Sequence, residues 1–479
     1  MARPVITVGS GLAGLSAAYE ALKTGAKVHM LERAPKPGGN SIKASSGISA
    51  AGTKFQDAGD DDVTAFYEDS VRSAGTRLNN NTTERLALIQ LLTSRSAEAI
   101  SWLADDIGVD LSLVAQLGGH SAPRTHRGAA GPPPGFAIVN ALLRKLGDDE
   151  RFTLTCSADV KALTFSEAGR VDGVRYALAD GSVQHEVRGP VIFAAGGFAG
   201  DAHGLLAKYR PDLAGLPSTN DARPASSHDL LAGVGAELVD MDSVQVHPTG
   251  FVDPRDPGNV YKFLAAEALR GEGGILLDGQ GKRFVNEMER RDVVSEAIMK
   301  LDMSRSEKDK DGDGDEDGGV KQWDVMLLLD PGAAQAAKSH VGFYLSKGLL
   351  QKKKVKDLPR QVIASIDEYA EAVKRGKDEK FGRRYFGHWT LSPGEGNREE
   401  EMFVGKVTPV SHFTMGGVAF NTKAQVLGKG GVPVEGVWAA GEITGGLHGD
   451  NRLGGNSLLE CAIFGRIAGA EAAKSCLGT

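Results

Sequence analysis

"PVITVGSGLAGLSAAYEALKTGAKVHMLE", residues 4–32, decides the fold. "PVITVGS" reads as a short buried strand, "GLAGLSAAYEALKTGA" as a helix and "KVHMLE" as a second strand. That order is a β-α-β unit and predicts a parallel sheet in an α/β protein. Gly9, Gly11 and Gly14 take the G-x-G-x-x-G spacing directly after the first strand, with Ala13 between the last two. Glu32 closes the second strand, 18 residues beyond Gly14. Three glycines alone often mark only a tight turn. Strand, helix and terminal acid together predict a dinucleotide site, with N–H groups at the helix start facing a pyrophosphate and Glu32 accepting from a ribose.

Outward from this unit, "GPVIFAAGGFAG" (residues 189–200) is a second strand that ends in Gly196 and Gly197, suited to lie against the same dinucleotide. Between residues 240 and 410 charge rises and aromatics scatter, and the last 70 residues turn glycine-rich again. The expected architecture is a Rossmann-like dinucleotide domain in two pieces, 1–240 and 411–479, with an α+β capping domain, 241–410, inserted between them. No internal repeat is present. Glycine supplies 63 of 479 residues, about twice the usual share, as expected where backbone must approach something closely.

Composition removes several classes of function. A chain of 479 residues, 41% hydrophobic and 24% charged, is an ordinary globular protein too large for a small binding module. The net charge of −7 gives no basic footprint for nucleic acid or an acidic membrane. No stretch approaches the roughly 20 apolar residues of a membrane helix. The chain enters its first strand at once, so no leader is expected and a cytoplasmic location is, or a mitochondrial one had a presequence been removed. Cys156, Cys461 and Cys476 form no C-x-x-C pattern, which excludes a disulfide framework, attached haem and a cysteine-held cluster. "KDKDGDGDEDGG", residues 308–319, opens like a calcium loop at Asp309, Asp311, Asp313 and Gly314, but Val320 stands where a bidentate Glu is required. It reads as a solvated acidic loop, and no metal site is expected.

After Glu32 comes "RAPKPGGNSIKASSGISAAGT", and near the end "GEITGGLHGDNRLGGNSLLE". Both resemble the flavin domain of the fumarate reductase and succinate dehydrogenase superfamily, and the resemblance covers nearly the whole chain. It implies FAD rather than NAD, with Asn40, Ser41, Ser46 and Gly47 along the flavin. Glu442 would meet the ribityl or ribose region, and Ser457 and Leu458 would direct backbone N–H groups at the flavin ring from the start of the final helix. Members with covalent flavin carry a histidine where this chain has Ser41. The implied FAD is therefore non-covalent, as in flavocytochrome c fumarate reductases and their haem-free relatives.

Four further segments match that pattern. "QVHPTG" supplies His247, "LAAEALRGEGG" Glu267 and Arg270, "GKRFVNEMERRDVVS" Arg291, and "SHFTMGG" His412. Taken singly these are core histidines, a helix ion pair and a solvated arginine pair. Taken together with Arg452 they suit a small dicarboxylate such as fumarate, because arginine forks match carboxylates and histidines add directional donors. By resemblance, His247, His412, Arg452, Gly455 and Ser46 bind the substrate. Arg291 gives the proton, and Glu267 and Arg270 return one from solvent. Arg290 is expected to be surface charge. Ala266 stands where many relatives carry a hydroxyl, and "PASSHD" (residues 224–229) replaces a usual turn. The expected activity is reduction of fumarate to succinate, with electrons from a reduced flavin or another donor. The alternatives are a same-fold enzyme for another activated alkene such as urocanate, or for a steroid or amino acid, a respiratory-complex subunit, and a flavin-loaded partner protein without turnover.

Overall fold

The computed structural model describes residues 3–57, 59, 61–79, 82–179, 184–303 and 320–478. Val5–Val8 lies inside a six-stranded sheet whose order is Gln425–Leu427, Pro433–Ala439, Val191–Phe193, Val5–Val8, Val28–Leu31 and Phe152–Thr155. Every neighbouring pair is parallel except the first, which is antiparallel. All four residues of "VITV" are buried, the continuous apolar run expected of a strand covered on both faces.

Helix Leu12–Lys23 covers one face and packs against the last helix, Asn456–Leu477. Small residues set that contact. A Cβ on Gly465 would sit 2.5 Å from the Ala13 carbonyl oxygen, and one on Gly469 would sit 2.2 Å from that of Ala17. The two backbones touch, so the first and last segments of the chain share one layer. The opening turn is equally tight. Gly9 takes φ +102°, and a Cβ on Gly14 would lie 2.0 Å from the Gly9 carbonyl oxygen.

A second, antiparallel sheet has the order Phe263–Leu264, Val244–Phe251, Glu401–Thr414, Val325–Leu329 and Ile275–Leu277, with Gln351–Lys354 also on Glu401–Thr414. Leu276, Leu327, Leu329 and Val407 anchor its core. Strand Glu401–Thr414 runs unbroken through residue 410. Its ladder with Val244–Phe251 slips twice. Gln245 pairs Phe413 while Val246 pairs Ser411, so His412 is the extra residue of a β-bulge, and a second slip falls between His247 and Gly250. The acidic segment 308–319 lies outside the described residues. Among those described, no helix is long and apolar enough to cross a membrane.

Candidate active site

A cavity of about 500 Å³ runs from the opening glycines to the arginines between the two sheets. Gly9, Gly11, Ala13 and Glu32 line one end, and Asn40, Ser41, Ser46, Gly47 and Gly196 follow along it. Arg291, His412, Glu442, Arg452, Gly455, Ser457 and Leu458 line the rest. Gly14 is not on the wall; it holds the helix against the turn. The Glu32 carboxylate accepts from the Ser10 N–H at 3.0 Å and hydroxyl at 2.5 Å, and from the Ala34 N–H at 2.7 Å. It therefore organises the two loops that frame its end of the cavity. Ser41 Oγ accepts from the Leu12 N–H at 3.0 Å and so caps the first helix. Gly455 takes φ +82° at the start of the last helix, whose first N–H groups have no partner within the helix.

His247, Glu267 and Arg270 lie behind the wall, fully buried. Arg291 is the first residue of helix Arg291–Met299, and its guanidinium donates from Nε to Glu267 Oε2 at 2.7 Å, with Nη2 at 2.5 Å. Arg270 Nη2 stands 3.6 Å from Glu267 Oε1, which also accepts from the Gly118 N–H at 3.1 Å. One carboxylate thus joins two guanidinium groups. Burial alone would raise the Glu267 carboxyl, but Arg291 and then Arg270 outweigh it and hold it below its ordinary value. A third guanidinium, Arg452, donates to Gln245 Oε1 at 3.0 Å, and the same oxygen accepts from Arg291 Nη1 at 2.8 Å. Burial first and the Arg291 charge second pull the Arg452 pKa down to about 9.

The bulge turns His412 toward His247, with ring centroids 5.3 Å apart. His247 Nδ1 accepts from the Thr249 N–H at 3.2 Å, so the proton sits on Nε2, which is buried without a partner. His412 Nδ1 lies 2.8 Å from Thr219 Oγ1. Burial, then Arg291, keeps both histidine pKa values well below the ordinary one, so both rings are neutral at physiological pH. Arg452 Nε is also buried without a partner. Two arginines on the cavity wall, one with an unused donor, and a second unused donor on His247 just behind them give this end of the cavity positive charge and free donors that could hold an anion.

Glu442 contrasts with Glu267. Its carboxylate accepts from the Thr414 N–H at 3.0 Å, and burial outweighs that bond and raises its pKa to about 7. The folded protein therefore holds a proton that the unfolded chain releases near 4.5. The associated stability is complete below pH 4.5 and is lost as pH rises through about 7. This gap corresponds to about 3 kcal/mol. Denaturant unfolding of the flavin-free protein should show that decline between pH 5 and 8, and Glu442→Gln should flatten it. An equal decline in the variant would assign it elsewhere.

Gln245, Thr219, Phe413 and Tyr344 escaped the sequence reading. Gln245 could have been found, since strand alternation places it on the face of His247 two residues on. Tyr344 reaches the wall beside the Ala266 methyl, where its hydroxyl accepts from the Ala266 N–H at 3.1 Å and donates to the Leu264 carbonyl at 2.8 Å. Nothing local in the sequence marks Thr219 or Tyr344. Arg290 diverges from its neighbour, forking onto Asp292 at 2.8 Å with its side chain 32% exposed.

The family described as FAD binding domain matches residues 4–458. The chain is 38% identical to a fumarate reductase of Schizosaccharomyces pombe, over 98% of this chain and 90% of that protein. It is 40% identical to fumarate reductase 1 of Saccharomyces cerevisiae, over 98% of both. Among solved structures it resembles the open conformation of a flavocytochrome c3 fumarate reductase, with TM-score 0.73 and 30% identity over 99% of this chain and 78% of that one. The glycine turn and the start of the last helix line one cavity of a size that suits a dinucleotide such as FAD, and the chain belongs to the FAD binding domain family and is similar over nearly its whole length to these fumarate reductases.

Proposed function

We propose that the protein is a fumarate reductase that holds FAD without a covalent bond. The observation that carries the reading is the pair of guanidinium groups, Arg291 and Arg452, on the cavity wall beside His412, with the unpartnered His247 Nε2 buried behind them, a set that suits a dianion with a carboxylate at each end. Non-covalent attachment is supported by Ser41, whose hydroxyl is bonded to the first helix. Bound FAD, once reduced, would supply hydride chemistry at one alkene carbon of fumarate. Arg452 and the two histidines hold the carboxylates, so the other alkene carbon faces Arg291. That carbon gains electron density and takes a proton from the Arg291 guanidinium, which completes succinate. An arginine is a very weak acid, but a carbanion-like carbon is a far stronger base than the guanidine left behind. The ionised Glu267 then relays a proton from Arg270 to Arg291, and Arg270 regains its own from solvent. We read residues 241–410 as the cap that excludes water during this step. Electrons arrive from a free reduced flavin or another external donor.

The test uses anaerobically reduced holoprotein. Fumarate should restore the oxidised flavin spectrum rapidly, urocanate only slowly, and succinate, which has no double bond to reduce, not at all. A reduced protein that fumarate leaves unchanged would exclude this function and revive the other readings.

A further inference from the structure

Arg452 is a buried cation with no carboxylate hydrogen-bonded to it among the described residues. Its Nη2 meets the neutral Gln245 amide, Nη1 donates to the Leu453 carbonyl at 3.1 Å, and Nε is free. An aromatic face lies directly against it. The guanidinium carbon stands 4.3 Å from the centroid of the Phe413 ring. Behind that ring His448 lies edge-on, with centroids 5.9 Å apart, and His448 Nε2 is fixed 3.1 Å from Glu460 Oε2. The bulge makes the arrangement possible, because an extra residue at 412 lets consecutive His412 and Phe413 both reach the cavity wall.

We propose that Phe413 is a positioning residue for substrate: its ring holds the Arg452 guanidinium flat and charged at the place where a carboxylate of the substrate docks. The inference rests on the fumarate reading for the identity of the substrate, and on the geometry alone for the role of the ring. Attraction between a cation and a ring face is strongest where water is excluded, and Phe413 and Arg452 are both buried. Arg452 also feels the Arg291 charge, which opposes its own, and Glu442, Glu267 and Glu460, which favour it. His247 and His412, both neutral, also face it, and His448 stands beyond the ring. Removing the ring face leaves these groups in place and makes the charged form of Arg452 harder to keep.

The experiment compares holoprotein with Phe413→Leu, Phe413→Met and Phe413→Tyr. Two readouts are used: steady-state fumarate reduction, and the change in flavin absorbance as malonate, an inert dianion, is titrated. Leu and Met should weaken malonate binding and raise KM by about 10- to 30-fold, with kcat changed far less. They should also move the alkaline fall of kcat/KM to lower pH. Tyr, which keeps the ring face, should behave like wild type in both. Met replaces Leu as the informative variant if the smaller side chain opens the core. Malonate affinity unchanged in Leu and Met, or weakened with no movement of the alkaline limb, overturns the proposal. A wild-type protein that binds malonate but does not reduce fumarate would refute the substrate reading alone, and one that binds no dianion would refute both.

Discussion

Arg291→Ala should lose about 10³-fold or more of fumarate turnover, at the upper end of what a positioned proton donor contributes, while FAD and malonate still bind. The adjacent Arg290→Ala should stay within about twofold of wild type, as expected for removal of an exposed pair. The helix start separates the two. Arg290 is the N-cap, with φ −55° and ψ 155°, and its side chain turns to Asp292 and the Arg72 carbonyl. Arg291 begins the helical turn and points inward, 5% exposed, onto Glu267 and Gln245. Dianion binding should survive because Arg452, His247 and His412 remain. Equal turnover in the two variants would remove Arg291 from the proton step.

Glu267→Gln is the second large effect, and it should appear in both rate and stability. The carboxylate accepts from Arg291 on one oxygen and from the Gly118 N–H on the other, so it has acceptors where both neighbours are donors. An amide must turn its NH₂ toward one of them. Arg291 and Arg270 would then share the interior with no ionised partner between them, and breaking a buried pair of this kind costs about 3–5 kcal/mol. Turnover should fall by about 10²- to 10⁴-fold, since the proton lost by Arg291 has no local source of return. Denaturant unfolding and single-turnover reoxidation measure the two effects separately. A stable, inactive variant would favour a purely chemical role, whereas an active one would break the proposed relay.

Legibility in the sequence followed distance along the chain. The β-α-β unit was readable because its signals lie within 29 consecutive residues, and the structure places Val5–Val8 between two parallel neighbours as that unit requires. The return of the last helix to the first was readable only as a change of composition. Its physical cause, backbone contact at Gly465 and Gly469, needs both helices in view. The arginine cluster was reached by resemblance, whereas its inner wiring was not. Gln245 joins Arg291 and Arg452 across intervals of 46 and 207 residues, which no local pattern encodes. Glu32 was expected to serve a ribose; what the structure shows is its carboxylate fastening Ser10 and Ala34. The bulge was invisible because a strand's register depends on its partner.

The extra residue at 412 turns strand length into a counted quantity. Loops elsewhere can grow or shrink by many residues without consequence, but deleting a single position between Ser411 and Thr414 would straighten the ladder and swing a side chain out of the pocket. Descendants of this sequence are thus freer to exchange amino acids along that edge than to change how many there are. Insertions and deletions, more than substitutions, should be what selection removes there.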